Sequence, residues 1–264
     1  QLPEFVVADH PKFAEFLKVY YQLLESAELS FSSVQATDGI LLQSETGQTN
    51  NLVLNSSRKD TARTLLDAGD KILLEETKKK LRETCKVKRK KTFLKNGVIF
   101  SEMISSHFIN WFANQKNIKN VAFYYPINTE VDPFPIIHLL KKKSLKHCLP
   151  VICKLNAPLI FREWKKDTKL INSNFGAKIP STGNEIIPDL ILVPLLAYDD
   201  NGSRLGYGGG FYDRTLYNLR KNFKKKIIAV GLAYSSQKYN ELLPLEKTDE
   251  KLDAILTESG FIFF

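Results

Sequence analysis

The 264-residue sequence has few of the residues that build metal or redox centres: three cysteines, four histidines and one methionine. Cys85, Cys148 and Cys153 form no CxxC and no metal-ligand spacing, so they read as small buried hydrophobes in a reducing cytoplasm. His10, His107, His138 and His147 are scattered without a ligand pattern, and no zinc site is expected. No run of about 18 apolar residues is present, so no membrane partner or membrane-spanning helix is expected. The N-terminus has no basic stretch leading into an apolar one, which argues against a signal peptide. The chain begins at Gln1 rather than Met, as a fragment would.

What is present is enough apolar material for a real core, 43% of residues, at a length that suits one large or two small domains. Charge is unevenly spread. Residues 1–76 hold 6 Lys and Arg against 12 Asp and Glu, whereas residues 77–264 hold 32 against 17. The second region therefore calls for an anionic partner, and the first does not.

The first region carries no catalytic constellation. Residues 10–25 place Phe13, Phe16, Leu17, Tyr20, Leu23 and Leu24 on one helical face, with Asp9 as N-cap. Residues 30–57 are rich in Ser, Thr, Gln and Asn and read as loop or weak strand. A second helical pattern starts at Arg58. The stretch LPEFVVADHPKFAEFLKVYYQLLE resembles N-terminal segments of some tailed-phage structural proteins. With the charge break near residue 76, that resemblance implies an N-terminal extension, fused or chimeric, that acts as an accessory or interaction segment.

Residues 75–91 are densely basic. Lys78, Leu81, Arg82, Cys85, Lys86 and Arg89 recur at three- and four-residue spacings, so one helical face presents cations over a thin apolar stripe. A solvated face is the ordinary meaning of such a run. No aromatics interleave with the charges, so a nucleic-acid partner is not expected. A helix follows over 99–112. The run 121–125 reads as a strand stopped by Pro126, with Glu130 and Asp132 just past its end, where open α/β sheets bind ligands. Asp132 also fits the role of helix cap before Pro133. A helix over 136–146 and strands over 147–154 and 159–164 come next. Trp164 and Phe175 are candidates for stacking on a planar ligand, although packing is the ordinary role of both. Residues 175–183 read as a loop. The alternation of strands and helices predicts an α/β fold with a largely parallel sheet.

The most informative stretch is 191–220. A buried strand over 189–197 leads through the turn Asp199-Asp200-Asn201-Gly202 to Gly206-Tyr207-Gly208-Gly209-Gly210 and then to a helix. This order brings backbone amides to a phosphate. The loop lacks the GK[ST] of a P-loop and the last glycine of a dinucleotide fingerprint, where Phe211 stands. Arg204 is placed to clamp a phosphate. Asp213 falls in the first helical turn, where a carboxylate is stable without any ligand. Beside a bound triphosphate the same carboxylate would need an intervening Mg²⁺.

RLGYGGGFYDRTL, preceded by PDLILVPLLAYDDNG, resembles the signature of the 5-formyltetrahydrofolate cyclo-ligase family. KKKLR at 78–82, YYPINTEVD at 124–132 and the tail VGLAYSSQ…LPLEKTDEKLDAILTE resemble further family motifs in the same order. The resemblance covers residues 77–264. It implies a three-layer α/β/α domain like ribose-5-phosphate isomerase and the CoA transferases. It also implies an enzyme that uses ATP and Mg²⁺ to cyclise 5-formyltetrahydrofolate, polyglutamylated or not, to 5,10-methenyltetrahydrofolate, and that works as a monomer. By motif position Lys78, Arg82 and Arg204 are catalytic. The same three, with Gly206, Tyr207, Gly208, Gly209, Gly210, Phe211 and Tyr212, contact ATP. Arg82, Tyr125, Glu130, Tyr207 and Phe211 contact the folate. Asp213 and Asp249 hold Mg²⁺. Phe211 departs from the family's usual tyrosine, and residues 1–76 have no counterpart. Two other readings remain: a sugar-phosphate isomerase or CoA-transferase-like enzyme on the same fold, and a non-enzymatic phage-associated binding module.

Overall fold

The structure is a computed structural model that describes residues 33–37, 39–43, 49–50, 56–140, 145–173, 176–223 and 226–264. The chain divides into two compact units, Gln1–Glu76 and Thr77–Phe264. In the first unit β1 (Ser33–Thr37), β2 (Gly39–Gln43) and β3 (Thr49–Asn50) pair antiparallel in that order, so the polar stretch is a small sheet. The helix expected over 10–25 lies outside the described residues. The two helices expected over 75–91 and 99–112 are one, α1 (Ser56–Phe112), because no proline interrupts them.

The second unit holds a seven-stranded sheet. Its strands are β4 (Asn120–Ala122), β5 (Lys146–Val151), β6 (Ile160–Glu163), β9 (Leu190–Pro194), β12 (Ile228–Leu232), β13 (Ala254–Thr257) and β14 (Gly260–Phe263). The spatial order is β14-β13-β12-β9-β4-β5-β6. The five inner strands are parallel, and β6 and β14 close the edges antiparallel. Central β9 is apolar along its whole length because both faces are covered. Its alternate residues serve different layers. Leu190 and Leu192 join a core with Ile104, Phe108 and Phe112 of α1. Ile191 and Val193 join a core with Leu216 and Leu219 of α3 (Phe211–Asn222), on the opposite face. The three-layer architecture follows from that alternation.

Three local readings are corrected. Of the helix expected over 136–146, the described residues show α2 (Phe134–Leu139), residues 141–144 lie outside them, and Lys146 already belongs to β5. The loop expected over 175–183 contains β8 (Lys178–Pro180), which pairs with β7 (Leu170–Asn172). Cys85 and Cys148 are buried as expected, but Cys153 is exposed.

Candidate active site

Chain order reverses between neighbours β4 and β9. Strands β4 to β6 step toward one edge of the sheet, and β9 and β12 to β14 step toward the other. The carboxyl ends of two such strands diverge and open a crevice. The chain leaving β4 reaches Tyr125 and Glu130. The chain leaving β9 passes through the hairpin of β10 (Ala197–Tyr198) and β11 (Arg204–Leu205) into the glycine loop. A cleft of about 730 Å³ lies there, lined by Lys78, Arg82, Arg204, residues 206–214 and residues 246–250. Every residue expected to contact ATP or metal is in that lining. Tyr125 and Glu130 are outside it.

The turn before the loop is pinned by one buried carboxylate. Asp199 Oδ1 accepts from the amides of Asn201 (2.9 Å) and Ser203 (3.0 Å), and Oδ2 accepts from that of Leu243 (3.1 Å). Arg204 is thereby aimed inward. Its Nη2 donates to Asp213 Oδ1 at 2.6 Å, and its Nη1 donates to the Glu250 carbonyl. The Glu250 amide donates to the same Asp213 oxygen at 3.1 Å. Gly208 has φ 103°, and a Cβ there would stand 3.2 Å from Arg82 Cζ. Gly210 caps α3 with φ 62°. Both positions need glycine for backbone reasons.

Helix α1 supplies the wall facing the loop. Lys78, Arg82, Cys85 and Arg89 lie on one helical face, and Lys78, Cys85 and Arg89 are buried rather than solvated. Lys78 Nζ donates to Glu246 Oε1 (2.9 Å) and Asp249 Oδ2 (2.6 Å). Asp249 Oδ2 also accepts from the Glu246 amide at 2.8 Å. Arg82 Nε donates to the Gly206 carbonyl at 2.9 Å.

The end of β4 is built differently. Glu130 is 5% exposed, and its Oε2 accepts from the Ile127 amide at 2.9 Å. Burial pushes its carboxyl up to about 7, against the pull of that hydrogen bond and of the Arg89 charge. Burial also raises the phenols of Tyr124 and Tyr212, and the Glu130 charge adds to both shifts, which places Glu130 within electrostatic reach of the start of α3. The Tyr125 ring meets Phe134 edge-on at 5.3 Å, and Phe134 meets Trp164 at 5.8 Å. Trp164 thus has a packing role, and Phe175 lies outside the described residues. Asp132 Oδ1 accepts from the Phe134 amide at 2.9 Å, the capping role expected of it.

Sequence reasoning did not assign Arg89, Glu246 or Glu250 to the site. Arg89 was within reach, since it lies two helical turns beyond Arg82 on the same face. Glu246 and Glu250 flank Asp249, but their contacts arise from tertiary closure of the tail onto the loop.

Residues 74–258 match the model of the 5-formyltetrahydrofolate cyclo-ligase family. The chain is 35% identical over 161 residues to the 5-formyltetrahydrofolate cyclo-ligase of Haemophilus influenzae, covering 59% of this chain and 83% of that protein. It is 34% identical over 145 residues to the same enzyme of Escherichia coli, covering 53% and 78%. The solved 5,10-methenyltetrahydrofolate synthetase of Aquifex aeolicus superposes with a TM-score of 0.55 at 28% identity, over 70% of this chain and 92% of that one. These matches give no support to the tailed-phage reading of residues 1–76. The cleft at the strand reversal and the family match share one stretch of sequence, and the chain belongs to the 5-formyltetrahydrofolate cyclo-ligase family.

Proposed function

We propose that residues 77–264 cyclise 5-formyltetrahydrofolate to 5,10-methenyltetrahydrofolate at the expense of ATP, releasing ADP and phosphate. The observation that carries this reading is the convergence of Lys78, Arg82, Arg204, the glycine loop, Asp213 and Asp249 on one cleft beside Glu130. A formamide oxygen is a poor leaving group. Moving the γ-phosphoryl group onto it turns it into a good one, N10 then attacks the formyl carbon and gives up its proton to solvent, and the carbon–oxygen bond breaks to release phosphate. Phosphoryl transfer needs positioning and charge neutralisation more than proton transfer. Lys78, Arg82 and Arg204 are the cations for that task, and residues 206–212 wrap the phosphates. Tyr125, Glu130, Tyr207 and Phe211 border the folate, with Arg82 between the two substrates. Glu130 orients the pterin by hydrogen bonding.

Asp213 and Asp249 fit a hard divalent cation. Both offer carboxylate oxygens to the cleft, and the Glu250 amide that binds Asp213 directly follows Asp249. Among the described residues no group of three acidic, Cys or His side chains forms a complete cage. Two carboxylates completed by phosphate oxygens is the arrangement Mg²⁺ favours. An Mg²⁺ ion there would supply charge neutralisation for the phosphates. We take the working unit to be a monomer. Three free cysteines support a reducing compartment such as the cytoplasm. Residues 1–76 form a separate extension outside the reaction. The test is growth of the near-ultraviolet absorbance of the methenyl product from 5-formyltetrahydrofolate, with and without ATP. Product only with ATP supports the reading, and no product in either condition overturns it. Limited proteolysis tests the extension, which is expected to be cut between residues 30 and 80 while residues 77–264 persist.

A further inference from the structure

Arg89 has no role in the mechanism above, yet it is among the most deeply buried side chains of the molecule, 1% exposed. Its guanidinium divides its donors among three segments. Nε donates to Thr129 Oγ1 at 3.1 Å, next to Glu130. Nη1 donates to the Leu195 carbonyl at 3.1 Å, just past the end of β9. Nη2 donates to the Tyr207 hydroxyl within the glycine loop, and the cation also sits 5.4 Å from the centre of that ring. Gln237 Nε2 donates to the same Leu195 carbonyl at 2.8 Å, so this anchor point is held from two sides. Among the described residues no carboxylate lies at ion-pair distance from Arg89. A buried cation without a salt-bridge partner is costly to keep. A purely structural tie of this shape could use a neutral side chain.

We infer that Arg89 is a positioning residue that couples the two substrate sites, by clamping the strand-end loop at Thr129 and the glycine loop at Tyr207 to one rigid guanidinium. The inference rests on the assignment of the glycine loop to ATP and the β4 end to folate. The planar fork suits this task, since it fixes three acceptors in one plane as a lysine ammonium cannot. Tyr207 then adopts the same position relative to Glu130 in every turnover. Disturbing the Thr129 side of the clamp is felt on the phosphate side, although Thr129 is not among the residues lining the cleft.

The test is a double-mutant cycle in the full-length protein, with folding checked by melting temperature. KM for ATP is measured at saturating 5-formyltetrahydrofolate for wild type, Thr129→Val, Arg89→Lys and the double variant. The inference predicts that Thr129→Val raises KM for ATP about tenfold, as loss of one charge-assisted hydrogen bond does. In the Arg89→Lys background the same change is silent to within about twofold, the usual limit of additivity. An unchanged KM for ATP in Thr129→Val overturns it, as do effects that multiply in the double variant. If Arg89→Lys does not fold, Tyr207→Phe takes its place in the cycle with the same outcomes. A wild-type protein with no ATP-dependent product would instead refute the proposed reaction itself.

Discussion

Around the glycine loop, charge is balanced locally. Lys78 is held by Glu246 and Asp249, and Arg204 by Asp213. At the end of β4 a single carboxyl, Glu130, is buried with one backbone amide as its hydrogen-bond donor and Arg89 as the cation that moderates it. The first wall can trade partners when an anionic ligand arrives, because Lys78 and Arg204 each already face an acid that a divalent ion can occupy. The second wall offers a buried carboxyl within electrostatic reach of the Tyr124 and Tyr212 phenols, as fits a substrate recognised by shape and a few hydrogen bonds. On the proposed reading the cleft is the polyanion site and the end of β4 the planar-ligand site, distinguished by how each treats charge.

The largest expected effect would break the first wall. Asp213→Asn removes the charge but leaves an acceptor for the Glu250 amide, and kcat is expected to fall about 10³-fold with an unchanged circular dichroism spectrum. Activity near that of wild type would remove Asp213 from the metal site. The second wall is probed next by pH. Glu130 titrates at about 7 rather than 4.5, so the folded state retains a proton that the unfolded state releases between those values. Stability on this account falls as pH rises from about 4.5 to about 7. Glu130→Gln should therefore gain up to about 3 kcal/mol over wild type above pH 7, and nothing below pH 4.5, while KM for the folate rises. Denaturant melts across that range check it, and an equal gain at every pH would contradict it. Third, Arg82→Ala is expected to raise KM for ATP about 10- to 100-fold, the worth of a hydrogen bond to a charged group. Unchanged ATP kinetics would take α1 out of the site. The smallest effect sharpens the role of backbone in the first wall. Gly210→Ala forces a Cβ onto φ 62°, 2.7 Å from Arg214 Nη1, and is expected to cost about 1 kcal/mol in unfolding experiments.

The two walls were not equally legible in the sequence. The glycine loop, Arg204 and Asp213 are contiguous, so local order alone assembles them. Lys78 and Arg82 were placed by motif resemblance, and the helical spacing that links them to Arg89 was visible. Its burial was not, because a basic run on a helix usually faces water and only the sheet's closure shows which side is covered. Glu130 was singled out from its place after a strand, but its raised pKa comes from burial, which only the tertiary structure supplies. Lys178–Pro180 falls in a stretch that reads as loop, and its partner Leu170–Asn172 carries no pattern, since three-residue strands are too short to show alternation. The start of β5 at Lys146 was hidden by a basic run that suits a helix end equally well.

The central claim is that phosphate leaves carrying the formyl oxygen. It is tested most directly with 5-formyltetrahydrofolate labelled at that oxygen with a heavy isotope, turned over with unlabelled ATP and analysed by mass spectrometry of the inorganic phosphate. The account predicts one labelled oxygen in each phosphate released. Unlabelled phosphate, with the heavy oxygen recovered in water, would contradict it.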